Sequence, residues 1–495
     1  MHGPFEHRRL QRKAMQFLRR LEQEGHAIAL AKISLDLRGG GRPADTQVVF
    51  ELSIGARSFG SIAIAAPEIG VPLSWDEAKS RQASDDGYFL PDSIIDFTRS
   101  ALQPDEPLYL AFQTPCGFLP GLPWERLGCE RLGRPVLRLG AAPVRPVRSE
   151  TTLDVAYCCS LPACEQPSPV QIAESMLRQI PADLPQRARV HVFVDRTLYP
   201  VLSERIDTLG HPATIRLHAP TDAERYVNPR PSGSEMLEAE QLENPWLLWM
   251  RDALRELSLD GVHFITGGYL GRSRVGLRFA DSPVEAFDNY AGARVVGARQ
   301  LVLFLEQVGA WAVAFSSPPR NDSVLGLRML FDEVSRMLNG PAVLHDMAAD
   351  ADGHALASAY WSIYAPGEAP LPRSPALALA MHPAWAGGLA NDAPAERMQA
   401  LVDEYSLRHR VSSLTGAADT PGWVSAQQRR LEKSIAAIAS VPEAERDPAR
   451  EAGVLDALRF TADLIAKYAP RAGSAEDASD TSPPGGSATT DGATP

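Results

Sequence analysis

Strand and helix patterns alternate along the chain from Leu153 onward, and this alternation constrains the fold more than any other feature. Short apolar runs predict strands at residues 153–157, 188–195, 214–218, 261–266 and 311–315. Amphipathic stretches predict helices at residues 170–180, 198–209, 245–257, 300–308 and 324–338. Parallel strands need crossovers of this length, so the pattern predicts an α/β domain with a doubly wound, mostly parallel sheet.

Two further regions are predicted to flank this α/β domain. Residues 1–68 are expected to form a small α+β module, with a helix at 5–24, a β-hairpin and a third strand. Residues 366–468 begin as a Pro- and Ala-rich linker and continue with the periodicity of a helical hairpin. Residues 471–495 contain no apolar side chain larger than Pro or Ala, which predicts a disordered tail.

Charge and hydropathy narrow the classes of partner. The formal net charge of -12 argues against a nucleic-acid partner, because such proteins usually carry a basic balance. No run is long and apolar enough to cross a bilayer, and the N-terminus lacks the apolar core of a secretory signal. We therefore expect a cytoplasmic protein without a membrane partner, whose cysteines are reduced thiols. The cysteine spacing predicts no zinc site, and we expect no metal and no cofactor.

Four segments follow one another in an informative order. They are residues 119–127 with Pro123-Trp124-Glu125, residues 262–269 with Val-His-Phe-Ile-Thr-Gly-Gly-Tyr, residues 308–314 with Val-Gly-Ala-Trp-Ala-Val-Ala, and a helical pattern over 331–340. Across residues 88–365 this order resembles the CHAT (caspase-HetF-associated-with-TPR) family of caspase-like peptidases. The resemblance implies a caspase-like α/β fold, in which Trp124 packs under the sheet and Glu125 begins a short helix.

The resemblance also implies where catalysis would occur, and there the chain departs from the family. In such peptidases a histidine base ends one strand and a cysteine ends the neighbouring strand. The histidine position falls here on Gly267, and all five cysteines precede that position: Cys116, Cys129, Cys158, Cys159 and Cys164. The nucleophile strand falls either on 293–296 or on 300–305, with Gln307 or Val308 at the nucleophile position. Neither stretch contains a thiol, so we expect no catalytic residues.

These departures favour a catalytically degenerate CHAT-like pseudo-peptidase that acts as a protein-binding or regulatory subunit. The cleft of this fold is suited to an extended peptide, held by strand addition and side-chain pockets. The predicted cleft residues are Thr266, Gly267, Gly268, Tyr269, Ser316 and Ser317. The resemblance further implies a protein partner in a bacterial signalling or defence system.

An active enzyme with relocated catalytic residues is the first alternative. It would use His263 or His345 with Cys116 or Ser316, and it requires the chosen side chains to lie within about 4 Å of each other. A mid-strand histidine such as His263 is more often a satisfied core residue. Cys116 is more often a small buried hydrophobe than a reactive thiol.

A small-molecule or nucleotide sensor is the second alternative. Ligands bind doubly wound sheets at the carboxyl ends of the strands, although neither a dinucleotide fingerprint nor a Walker motif is present here. His345, Asp346, Asp352 and His354 have a spacing that could ligate a metal. The sequence between them is typical of a solvated polar loop, so metal binding is the minor interpretation of this group.

Overall fold

A computed structural model of the chain describes most of residues 28–385. The gaps fall at 37–44, 56, 84, 104–105, 114–115, 141–151, 162–167, 180–186, 210–213, 228–241, 256, 273, 285–292, 320–322, 339, 366–369 and 384. The predicted helix at 5–24, the helices of 393–468, the tail at 471–495 and Cys164 therefore lie outside the described residues.

The strands and helices alternate as the sequence predicts. The strands are β1 (Ala29–Asp36), β2 (Gln47–Ile54), β3 (Arg57–Ala65), β4 (Leu108–Phe112), β5 (Val136–Leu139), β6 (Leu153–Cys159), β7 (Ala188–Val194), β8 (Thr214–Leu217), β9 (Gly261–Ile265), β10 (Gly267–Leu270), β11 (Val275–Ala280), β12 (Ala293–Val296), β13 (Ala312–Ser317), β14 (Ala342–Asp346) and β15 (Leu377–Met381). The helices are α1 (Ala66–Ile69), α2 (Trp75–Ser80), α3 (Asp92–Ala101), α4 (Trp124–Leu132), α5 (Pro169–Gln179), α6 (Leu198–Leu209), α7 (Glu224–Val227), α8 (Pro245–Ala253), α9 (Ala298–Gln307), α10 (Val324–Met337) and α11 (His354–Tyr364).

Twelve strands form one mixed sheet in the order β3-β2-β1-β4-β5-β15-β14-β13-β9-β6-β7-β8. Three of its neighbouring pairs are antiparallel, β1 with β2, β2 with β3 and β14 with β15, and all the others are parallel. Helices α8, α9 and α10 contribute to the apolar core on one face of the sheet, and α5, α6 and α11 contribute to the core on the other. The predicted α/β class with a mostly parallel sheet is confirmed.

The large sheet includes strands from both regions that the sequence analysis places outside the α/β domain. β1 pairs in parallel with β4, so the strands expected in a separate module at residues 1–68 extend the same sheet. β15 lies in the stretch assigned to a linker, yet it stands in the middle of the sheet between β5 and β14. All five residues of β15 are buried, because a central strand is covered on both faces. The flanking prolines and short length of this run conceal it in the sequence.

The central strands position the candidate site. Every residue of β6, β9 and β13 is buried, which explains why these strands read as continuous apolar runs. Three short antiparallel strands, β10, β11 and β12, form a second sheet directly after β9. Across the described part of the chain, no helix combines the length and apolar character needed to cross a membrane.

Candidate functional site

The carboxyl ends of β9 and β13 form the edge at which the sequence predicts a cleft. The two strands are parallel neighbours, and Ile265 lies beside Ser316 in their register. Thr266 and Gly267 follow β9 directly, and Ser317 ends β13, so these three residues lie at the same edge of the sheet. The Thr266 hydroxyl donates a hydrogen bond to the carbonyl of Arg278, which ties this edge to the small sheet.

Both predictions for the nucleophile strand beside β9, residues 293–296 and residues 300–305, are wrong. Residues 300–305 belong to helix α9, and residues 293–296 form β12, which pairs with β11 and not with β9. Gln307 and Val308 are buried at the end of α9. β9 lies between β13 and β6, so the strand ends beside the histidine position carry Ser317 on β13 and Cys159, which is 0% exposed, on β6.

Packing explains one of the two adjacent glycines at the predicted histidine position. A Cβ atom on Gly268 would lie 2.2 Å from the carbonyl oxygen of Ser323 and 2.8 Å from Cβ of Leu327. A Cβ atom on Gly326 would lie 2.5 Å from the carbonyl oxygen of Tyr269. These glycines therefore let the backbones of β10 and α10 touch, and Gly268 has a structural role. Gly267 is half-buried and leaves no imidazole at this edge.

The described thiols do not replace the missing nucleophile. Burial raises the pKa values of Cys116, Cys129 and Cys158. Cys116 packs against the apolar core beside β1, β2 and β4. His263 lies on β9, in the other half of the sheet, where its ring packs beside Tyr157. A raised pKa keeps these thiols protonated at neutral pH, which is the opposite of an activated thiolate.

A chain of buried hydrogen bonds runs beneath the same edge of the sheet. Nε2 of His263 lies 2.6 Å from Oγ of Ser316, and this oxygen lies 2.8 Å from Nδ1 of His345. Nε2 of His345 lies 3.1 Å from Oδ2 of Asp350, and the Tyr360 hydroxyl lies 2.8 Å from Nδ1 of His263. The relocated pair of His263 and Ser316, or of His345 and Ser316, is thus brought within hydrogen-bond distance, but Cys116 is not part of it. We call these five residues the polar chain.

The polar chain has one consistent direction when both imidazoles are neutral. Burial lowers the pKa of His263 well below its usual value, and a positive charge on His345 would lower it further. Neutral His263 accepts from Tyr360 at Nδ1 and donates from Nε2 to Ser316. Ser316 then donates to Nδ1 of His345, whose Nε2 donates to Asp350.

Asp350 terminates this chain as a carboxylate. Burial raises the pKa of Asp350, but hydrogen bonds from His345 and from the backbone N–H groups of Ala355 and Leu356 outweigh it and lower the pKa below its usual range. The two backbone donors belong to the first turn of α11, where a negative charge is favoured by the helix dipole. The carboxylate therefore fixes the start of α11 and the orientation of His345 together.

Burial separates the polar chain from any substrate. Serine, histidine and aspartate stand here in the order nucleophile, base and orienting acid. However, Ser316, His345 and Asp350 are only 1%, 0% and 6% exposed. An acyl-transfer reaction needs the serine oxygen to reach a substrate carbonyl carbon, and a hydroxyl enclosed in the core has no such approach.

Several members of the polar chain are absent from the sequence-based site. Asp350 lies in the turn before α11, within residues 347–353, whose sequence is typical of a polar loop, and Tyr360 lies in α11, for which no helix is predicted. Tyr157 on β6 extends the chain through a long contact of 3.5 Å between its hydroxyl and that of Tyr360. The apolar spacing of Leu356, Tyr360 and Ile363 is the available signal for α11, since these residues recur on one helical face.

The Pro123-Trp124-Glu125 segment has a structural role. Nε1 of Trp124 donates to the carbonyl of Leu119 at 2.7 Å, and the buried indole packs beside Phe112 of β4. Glu125 lies in the first turn of α4 and accepts hydrogen bonds from Nε and Nη2 of Arg138 on β5. These contacts hold α4 against the sheet. They place the tryptophan against the sheet and the glutamate in the first helical turn, which are the positions that the resemblance implies.

The polar residues around His345 do not form a metal site within the described residues. His345 points into the core and Asp346 caps the backbone N–H of Ala348 at 2.9 Å. His354 is exposed, and its Nε2 atom lies 3.6 Å from Oδ2 of Asp352. No group of three or more His, Cys, Asp or Glu side chains in the described ranges is arranged to hold a metal ion.

Comparisons with known proteins returned no relative. No family model matches the chain, and no curated protein or solved structure is significantly similar to it.

Proposed function

We propose that the chain is a catalytically inactive CHAT-like protein with a caspase-like fold, and that it acts as a protein-binding or regulatory subunit. The observation that carries the proposal is the pair of residues at adjacent strand ends. Gly267 follows β9 and Ser317 ends β13, where a caspase-like peptidase would place its histidine and its cysteine. The adjacency of these two positions supports the resemblance to caspase-like peptidases. Glycine and serine at these positions are incompatible with the reaction of a cysteine peptidase.

The physical argument concerns proton transfer. A cysteine peptidase needs a base within hydrogen-bond reach of its thiol and of the scissile bond. Glycine supplies no base, and the imidazole of His263, earlier on β9, is only 1% exposed and is hydrogen-bonded to Ser316 and Tyr360. The edge can therefore bind a peptide without cutting it, and an extended protein segment in a cytoplasmic, bacterial signalling or defence setting is the ligand that we propose.

Cleavage mapping tests the absence of peptidase activity. Wild-type protein and a variant with all five cysteines changed to serine are incubated with a cell lysate, and new N-termini are counted by mass spectrometry. We expect no new N-termini from either protein. Cleavage by the wild type but not by the cysteine-free variant would mean that a thiol acts as nucleophile, and would overturn the proposal.

Site-directed cross-linking tests the binding role. A photoreactive phenylalanine replaces Tyr269, which is half-buried on β10 at the proposed cleft. The matched control carries the same group at Arg216, an exposed position on the edge strand β8. We expect a cross-linked protein partner from position 269 and none from position 216. Cross-links that are the same from both positions would contradict a cleft-based partner.

A serine hydrolase is the second candidate, because the polar chain has the connectivity of a Ser-His-Asp triad. A fluorophosphonate probe distinguishes it, since the probe labels only an activated and accessible serine. We expect no labelling at Ser316, because its hydroxyl is enclosed in the core. Labelling that is lost in Ser316→Ala and retained in Ser317→Ala would favour the hydrolase instead.

A further inference from the structure

Strand β3 forms one edge of the twelve-stranded sheet. Among the described strands its only neighbour is β2. From Ser58 to Ala65 the strand contains neither a charged residue nor a proline, which are the residues that usually protect an edge from pairing with another chain. The opposite edge, β8, has only four residues and carries the exposed Arg216. β3 is therefore the edge of the sheet that is better suited to pairing.

The pairing of β2 with β3 shows which part of β3 is regular. The register shifts once, between Leu52 and Ser53, and leaves Phe59 without an opposite residue. From Gly60 to Ala65 the register is continuous. In an antiparallel ladder, alternate residues direct their N–H and C=O groups away from the neighbouring strand. The regular run of β3 therefore presents such groups at the edge of the sheet.

The apolar face of this run is covered only in part. Ile62 and Ile64 lie opposite Phe50 and Val48 of β2, on the side of the sheet that packs into the core. Ile64 is buried, whereas Ile62 is half-buried. A further strand would cover the remaining surface of Ile62, and burial of apolar surface stabilises an assembly by about 25 cal/mol per Å².

Two exposed charges of opposite sign flank the run. Arg57 begins β3, and Glu68 lies in α1, which follows β3 directly. The guanidinium of Arg57 stacks over the ring of Phe59, with Cζ 4.7 Å from the ring centroid, and is thereby held at this end of the strand. In an antiparallel pair of identical strands, the start of each strand lies beside the end of the other. Arg57 of each copy then comes near Glu68 of the other, whereas a parallel pair would place Arg57 beside Arg57.

We propose that β3 is a dimerisation edge, at which a second copy of this chain pairs antiparallel to β3 about a two-fold axis at Ala63. In this register Ile62 of each copy lies opposite Ile64 of the other, and Ser58 lies opposite Glu68. The interface uses the same patch on both copies, so it closes as a dimer.

The dimer is independent of the proposed peptide-binding cleft. The strands β2, β1, β4, β5, β15, β14 and β13 lie between β3 and β9 in the sheet. A single strand pair is small compared with the roughly 1,200–2,000 Å² that stable interfaces bury. We therefore expect a reversible dimer with a Kd of about 10–100 µM.

Analytical ultracentrifugation of the full-length chain tests for the dimer. The protein is sedimented at concentrations from about 1 µM to about 300 µM, a range that spans the expected Kd. We expect the weight-average mass to rise from that of one chain towards that of two. A mass that stays at one chain throughout would refute the proposal, and a mass that passes two chains would refute the closed two-fold arrangement.

Charge reversal tests the contact between Arg57 and Glu68. Each single variant, Arg57→Glu or Glu68→Arg, should weaken the dimer at least about fivefold, and the double variant with both changes should restore it. The two single variants change the net charge in opposite directions, so a loss common to both cannot arise from net charge. Arg216→Glu, an exposed reversal on β8, is the control and should dimerise as the wild type does. Failure of the double variant to recover would contradict the antiparallel arrangement.

Disulfide cross-linking tests the position of the axis. Only the residue on a two-fold axis lies directly opposite itself, within reach of a disulfide. Ala63→Cys should therefore form a cross-linked dimer under mild oxidation. Ser61→Cys, an exposed position on the same face of β3, should cross-link much less. Equal cross-linking at residues 61 and 63, or none above the wild type at either, would overturn the assignment of the interface to β3. Neither result bears on peptide binding at the cleft, which is measured separately.

Discussion

Replacing Ser316 by alanine tests whether the polar chain stabilises the fold. The Ser316 hydroxyl accepts from His263 at 2.6 Å and donates to His345 at 2.8 Å. Alanine would leave a buried donor on one ring and a buried acceptor on the other. An unsatisfied buried polar group costs roughly 1–3 kcal/mol, so the two together predict a loss of about 2–6 kcal/mol in the free energy of unfolding. Water cannot easily offset this loss, because the rings of His263 and His345 are 1% and 0% exposed.

A second buried serine provides the control for this substitution. The Ser362 hydroxyl donates to the carbonyl of Ser358 at 3.0 Å within α11. Its removal leaves no orphaned donor and a carbonyl that the helix already uses, so Ser362→Ala is expected to cost at most about 1 kcal/mol. Both variants are compared with the wild type by urea unfolding, followed by circular dichroism and by tryptophan fluorescence. A cost for Ser316→Ala within about 0.5 kcal/mol of the cost for Ser362→Ala would refute the account of the polar chain.

The coupling between neighbours gives a second measurement of the same idea. If Ser316 and His345 act as one hydrogen-bonded unit, the double variant Ser316→Ala with His345→Phe loses less stability than the sum of the two single variants. Directly bonded residues usually show coupling energies of about 0.5–3 kcal/mol. Additive losses would mean that the two side chains contribute independently.

Three further predictions concern other parts of the described structure. Glu125→Gln should destabilise the protein by about 1.5–3 kcal/mol in urea unfolding, because Arg138 is 1% exposed and would lose the nearer of its two charged partners, at 2.5 Å, keeping only Asp332 at 3.6 Å. Gly268→Ala should cost about 1–3 kcal/mol or more, because its Cβ would lie 2.2 Å from a carbonyl oxygen, whereas Gly297→Ala, with its nearest contact at 3.5 Å, should stay within about 0.5 kcal/mol in the same assay. Burial raises the pKa of Asp195 from 3.8 to about 6, so this group contributes stability at low pH that is lost as the pH rises through about 6. Asp195→Asn should therefore gain stability relative to the wild type between pH 4 and pH 7, by up to about 3 kcal/mol, and an unchanged difference across that range would contradict the assignment.

The parts of the fold that the sequence predicts are those determined by local pattern. β6, β7, β9 and β13 were predicted within two residues at their ends, since a strand covered on both faces reads as an apolar run. β14 was missed because it ends in His345-Asp346, and two consecutive polar residues are typical of a loop. The partner that satisfies His345 inside the core is Ser316 on another strand, and no local pattern reveals that contact.

The polar chain itself depends on the order of strands in the sheet. Tyr157 and Tyr360 are 203 residues apart in sequence, and their hydroxyls meet because β6 and β9 are neighbours and α11 packs over both. The sequence offers His263 with Ser316 as one of several possible relocated pairs. Their contact follows from the register of β9 and β13, in which Ser316 lies beside Ile265, two residues after His263, on the same face of the sheet.

The distribution of titratable groups across the sheet argues for binding rather than catalysis. The histidines near the candidate edge, His263 and His345, have their ring nitrogens hydrogen-bonded within the core, so using either as a base would first require breaking a buried contact. Arg278 lies beside Gly267 in the register of β10 and β11. A guanidinium stays protonated at neutral pH and cannot accept a proton, but it binds carboxylates through two hydrogen bonds. Neither Arg278 nor the two buried histidines therefore offers an accessible base at this edge, as the proposed binding role requires.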